Sequence, residues 1–81
     1  MPKLRHLSGE QVLSIFNKMG FLVHSQKGCH IKLRRIGTSG TKETLTIPFH
    51  KEIDTGTLRA ILRQASAYIS ETTLKEYFYN E

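Results

Sequence analysis

With 81 residues the chain has room for one domain and one core, near the lower end of what folds without staples, so residues 1–81 are expected to form a single unit. Lys and Arg number 12 against 7 Asp and Glu, a formal charge of +5 that makes an anionic partner the natural expectation for so small a surface. The single cysteine excludes an internal disulfide, and His6, His24, His30 and His50 show no zinc-type ligand spacing, so neither a staple nor a metal or other cofactor is expected.

No apolar run approaches the length of a membrane span, and the opening Met1-Pro2-Lys3-Leu4-Arg5 carries no hydrophobic segment after its charges. A soluble, unprocessed protein of a reducing cytoplasm is the expectation. The positive charge is unevenly placed: five cations and no acid lie between Lys27 and Lys42, whereas Ser70 to Glu81 holds three acids and one lysine. The basic patch belongs to the middle of the chain, although excess charge can also serve solubility alone.

In chain order, Ser8-Gly9-Glu10-Gln11 fits a capping box, because a serine at the N-cap and a glutamine three residues on satisfy each other's exposed backbone donors. A helix is predicted from there, with Val12, Leu13, Phe16 and Met19 as its apolar stripe and Gly20 closing it. Phe21 to His24 and Cys29 to Arg35 read as two strands of a hairpin. If Phe21 and Val23 share the core face with Ile31 and Leu33, a three-residue loop of Gln26, Lys27 and left-handed Gly28 keeps the faces in phase. That register sets His24 directly opposite His30. Gly37 to Lys42 is a polar connector, and Glu43 to Pro48 alternates as a third strand with Leu45 and Ile47 inward and Thr44 and Thr46 outward.

Asp54 or Thr55 is placed to cap a second helix, Gly56 to Ala65, whose Leu58, Ile61, Leu62 and Ala65 form a buried stripe while Arg59 and Arg63 share another face. Ser70 is the expected N-cap of a short last helix reaching about Phe78, with Ile69 stapled on Leu74. Tyr77, Phe78 and Tyr79 either cover the core or offer a docking edge. The sum is an α+β fold: helix, three antiparallel strands, helix, short C-terminal helix. Both main helices need the apolar face of the sheet, which leaves the other face open.

The chemistry concentrates in Gln26-Lys27-Gly28-Cys29-His30-Ile31-Lys32-Leu33-Arg34. Side chains of a strand alternate, so Cys29, Ile31 and Leu33 are expected to point inward and His30, Lys32 and Arg34 outward. A histidine exchanges protons near neutral pH and flanking cations hold a phosphate before it, a pattern that suits a nuclease whose RNA substrate brings its own 2′-hydroxyl. A half-buried strand with a solvated basic face would carry the same residues. His24 and then His50 are the candidates for a second acid or base. Lys27, Gly28, Lys32, Arg34, Lys51 and Arg59 are the candidate RNA and phosphate contacts, Gly28 because a turn glycine lets backbone approach phosphate closely, and Lys51 and Arg59 because they flank the start of the second helix.

Three stretches resemble the HicA toxins of toxin-antitoxin modules: Gln26-Lys27-Gly28-Cys29-His30, Thr46-Ile47-Pro48-Phe49-His50, and Gly56-Thr57-Leu58-Arg59-Ala60-Ile61-Leu62-Arg63-Gln64-Ala65. The likeness runs from about Leu7 to Ala65. It implies a double-stranded-RNA-binding-domain-like α-β-β-β-α fold and a metal-independent endoribonuclease, an mRNA interferase silenced by a HicB antitoxin. With no apolar run of spanning length, no membrane association is expected, and the free protein is expected to be a monomer. The catalytic histidine of the family's Gly-Ser-His motif corresponds to His30. Cys29 stands where serine is usual, and its expected inward direction makes that exchange one of packing. A catalytically inactive RNA-binding module and a protein-interaction domain with a basic face remain as alternatives.

Overall fold

The computed structural model describes residues 3–80. Helix α1 spans Gly9–Lys18 and begins where the capping box places it: the Gln11 N–H donates to Ser8 Oγ at 3.0 Å and the Ser8 N–H donates to Gln11 Oε1 at 2.9 Å. Its last turn closes through the Gly20 N–H on Asn17 O and the Phe21 N–H on Phe16 O, both at 3.0 Å. The buried stripe is Val12, Ile15 and Phe16, with Leu13 and Met19 only partly covered. It thus centres one residue further round the helix than expected, because Ile15 stands a turn beyond Val12 on the core side.

Strands β2 (Leu22–Lys27), β3 (His30–Ile36) and β4 (Lys42–Pro48) form an antiparallel sheet in the order β2-β3-β4. Ile31, Leu33, Leu45 and Ile47 are buried on one face, against α1 and helix α2 (Thr55–Ala65), which presents Leu58, Ile61, Leu62 and Ala65. Asp54 caps α2, accepting from the Thr57 N–H at 3.1 Å and the Thr57 hydroxyl at 2.6 Å. Helix α3 (Glu71–Phe78) starts at Ser70, and both Ile69 and Leu74 are buried beside it as the staple requires. This α-β-β-β-α layout is the double-stranded-RNA-binding-domain-like arrangement, with an added C-terminal helix.

The terminal aromatics close the core. Phe78 is fully buried with its ring centroid 5.3 Å from that of Phe16, and Tyr77 and Tyr79 pack against the cluster. The chain ends also meet in a ribbon that the sequence pattern does not reveal: β1 (Lys3–Leu4) pairs with β5 (Tyr79–Asn80). The Arg5 N–H continues the ribbon to Phe78 O at 2.8 Å, and Arg5 Nη1 donates to Tyr77 O at 2.7 Å.

Candidate functional site

The hairpin turn decides what surrounds His30. It is a two-residue turn, Gly28-Cys29, with Gly28 at φ 59°, where a residue with a Cβ would be strained. Glycine with positive φ at the first turn position matches the twist of the flanking strands, so β2 and β3 pair immediately on either side. Lys27 therefore lies opposite His30, and the expected pairing of His24 with His30 is overturned.

A turn of this length would put β2 out of phase with the core unless one residue were absorbed. The pairs run Lys27 with His30, Gln26 with Ile31 and Ser25 with Lys32, and then Val23 with Leu33 and Leu22 with Arg34. His24 is the extra residue, held in a β-bulge between Val23 and Ser25. Phe21 thereby still reaches the core, where it is fully buried, whereas Val23 lies uncovered on the edge strand against the expectation that it would be inside. Cys29 occupies the turn and is exposed. The expected inward thiol is thus also corrected: a turn position has no core face to point to.

The open face carries three rows. Lys27, His30 and Pro48 form the first; Ser25, Lys32 and Thr46 the second; Leu22, Arg34 and Thr44 the third. Residues directly opposite in such a ladder have Cβ atoms about 5 Å apart, and successive rows are spaced ~7 Å along the strand. His30 thus has a lysine beside it and two further cations along its own strand, and none of these nine positions is acidic. Neither Lys27, Lys32 nor Arg34 joins an ion pair among the described residues. His30, Lys27 and Lys32 are exposed and Arg34 is half-buried.

The segment after β4 folds back on the turn. The Phe49 N–H donates to Cys29 O, and the Gly9 N–H at the start of α1 donates to His50 O at 2.8 Å. His50 and Lys51 therefore stand at the His30 end of the sheet, two and three residues beyond Pro48, the partner of His30. His24 sits in the bulge, beyond the Lys32 row. Arg59 is not brought to the open face: with Arg63 it lines a groove between α2 and α3 on the helical side. Lys27, Gly28, Lys32, Arg34 and Lys51 are the phosphate candidates that the fold gathers at the sheet.

Alternation alone shows which side chains of β3 share a face, but not that Lys27 would be the neighbour of His30. The Lys-Gly-Cys-His string, read as a two-residue turn with glycine first, carries that signal. Among the described residues no group of three His, Cys, Asp or Glu is arranged to hold a metal ion, and no helix is long and apolar enough to cross a membrane. The arrangement can accept an extended phosphodiester along His30, Lys32 and Arg34, with a titratable imidazole at one end.

Comparison with protein families matches residues 9–67 to the family described as the HicA toxin of bacterial toxin-antitoxin. That span contains the whole three-stranded sheet, α1 and α2, and leaves α3 and the terminal ribbon outside. Neither the curated proteins nor the solved structures contain a match to the chain.

Proposed function

Because this chain belongs to the HicA toxin family of bacterial toxin-antitoxin modules, we propose that it is a cytoplasmic endoribonuclease that cleaves messenger RNA by transesterification at His30 and is held silent by a HicB-type antitoxin. The observation carrying this reading is the row that sets Lys27 directly across from His30 on a basic, solvent-open face. The family's catalytic histidine corresponds to His30 by its place in the motif.

RNA supplies the nucleophile. His30 removes the proton of a 2′-hydroxyl as that oxygen attacks the adjacent phosphorus; the bond to the 5′-oxygen breaks, leaving a 2′,3′-cyclic phosphate and a 5′-hydroxyl. General-base assistance of this kind is worth roughly 10² to 10⁴ in rate. Lys27 faces the charge that gathers on the non-bridging oxygens in the transition state, and Lys32 and Arg34 hold the phosphates that follow. Gly28 leaves the turn backbone open to approach. The leaving oxygen needs a proton, and His50, at the same end of the sheet, is better located to give it than His24 in its bulge. Lys51 beside it adds a phosphate contact, while Arg59 stands outside the track.

The displacement of His24 from His30 favours one other reading, an RNA-binding module without turnover. Incubation of the purified chain with a long unstructured RNA in chelator, beside His30→Ala, separates the two. Cleavage by the unaltered chain alone, with salt-sensitive binding kept by the variant, supports the nuclease. Binding without cleavage by either identifies the silent module, and equal cleavage by both removes His30 from the mechanism.

A further inference from the structure

Opposite the His30 end, the sheet carries an aliphatic surface that RNA binding does not account for. Leu22 and Ile36 lie on the open face at 68% and 60% exposed, and Val23, opposite Leu33 on the other face, adjoins them around the β2 edge at 52%, although branched aliphatic side chains of this size are ordinarily the first to be buried. With His24 and Arg34 they border a cavity of about 280 Å³. Small-molecule sites typically span ~300–1,000 Å³, so this one has the size of a seat for one or two side chains.

Arg34 gives the seat its chemistry. Its Nε is buried with no hydrogen-bond partner, and its guanidinium joins no ion pair among the described residues. A donor withdrawn from water and left unpaired is unfavourable, and a planar carboxylate is the acceptor that best fits a guanidinium. Nucleobases favour aromatic platforms, which this trio does not offer. A second copy of the chain would set +5 against +5 and bring another unpaired arginine.

We propose that Leu22, Val23, Ile36 and Arg34 form the docking site of the antitoxin, for a segment in which an aliphatic side chain adjoins an Asp or Glu whose carboxylate pairs with Arg34. The proposal rests on the toxin reading above, in which Arg34 also holds RNA phosphate. The partner therefore silences the enzyme by taking Arg34 from the substrate while its aliphatic residue anchors it on a surface that RNA does not use. Inhibition is then competitive with RNA and stays tight in salt that weakens RNA binding, because burial of apolar surface is not screened.

The test uses the full chain and the protein encoded by the adjacent gene. Leu22→Thr combined with Ile36→Thr keeps strand-favouring residues at both exposed positions, and Arg34→Gln removes the charge. Calorimetric titration with the partner and cleavage of an unstructured RNA, with and without partner, are read for each. The double variant is expected to cleave RNA as the unaltered chain does but to bind the partner at least roughly tenfold more weakly, and Arg34→Gln to weaken both partner and RNA. Equal partner affinity for double variant and unaltered chain overturns the docking site and leaves the nuclease reading intact. Loss of RNA binding by the double variant with partner affinity unchanged makes the patch an RNA surface and also overturns it, as does absence of any complex with the unaltered chain. A chain that binds the partner through these residues but cleaves no RNA sustains the docking site and removes the nuclease reading.

Discussion

Arg35 and Glu43 meet across β3 and β4, with Arg35 Nε and Nη2 both 2.7 Å from Glu43 Oε1. The guanidinium lies 4.5 Å from the centre of the Phe21 ring, and its Nη1 donates to Met19 O at 2.9 Å. Arg35 thus ties the end of α1, the start of β2 and the β3–β4 pair on the core side of the sheet, while Arg34 next to it faces the open side. Removing it leaves Glu43 half-covered and unpaired and uncovers Phe21. Arg35→Ala is expected to lower stability by about 2 kcal/mol, read from urea unfolding, with an unchanged RNA cleavage rate in the fraction that stays folded.

Lys32 and Arg34 are expected to act on RNA through charge. Lys32→Gln and Arg34→Gln each weaken binding across RNA sequences and each reduce the slope of log affinity against log salt by about 0.7 for a single strand. A salt series by fluorescence anisotropy checks this; an unchanged slope removes that side chain from the phosphate track.

Gly9 has no room for a side chain: a Cβ would stand 2.7 Å from the Pro48 carbonyl oxygen and 2.9 Å from Phe49 Cα. Both neighbours are backbone, so the start of α1 must move away from the segment that folds over the Cys29 turn. Gly9→Ala is expected to cost about 1–3 kcal/mol in thermal or urea unfolding. A change in the pH profile of cleavage by the folded variant would show that this clamp also positions the His30 end.

Asp54 sets an acid limit. The Thr57 hydroxyl, and after it the Thr57 N–H, hold its carboxyl below the ordinary value of 3.8. A lowered carboxylate pKa contributes stability that is fully present above the unfolded-state value and is lost as pH falls through the folded-state value. Urea midpoints of the unaltered chain and Asp54→Ala are therefore expected to differ near neutral pH and to converge in acid below that range.

Cys29 is expected to be replaceable. As an exposed turn residue it reacts with a thiol reagent in the folded state at the rate of an accessible cysteine, and Cys29→Ser changes stability by less than about 0.5 kcal/mol. Slow labelling that waits on unfolding would restore the buried position that strict alternation implies.

The helices were legible because their signals are local. Ser8 with Gln11, Asp54 and Ser70 each satisfy backbone donors within a few residues, and the structure uses all three. The face shared by His30, Lys32 and Arg34 was legible for the same reason. The register of β2 was not, since apolar periodicity reports which face a residue takes and not how many residues the turn consumes. A three-residue loop without a bulge and a two-residue turn with one both bury Phe21, and only the glycine-first turn distinguishes them. The β1–β5 ribbon lay beyond reach because two-residue strands have no period, and their pairing is set by where Phe78 enters the core.

Phe78 also has a consequence for when the molecule becomes competent. In synthesis from the N-terminal end, α1, the sheet and α2 leave the ribosome before the aromatic that packs on Phe16 and before the strand that pairs with Lys3 and Leu4. The packing of Phe78 on Phe16 and the pairing of β1 with β5 can be made only once residues 78–80 have emerged. The contacts that tie α3 and the terminal ribbon to α1 are therefore the last part of this core to form during synthesis.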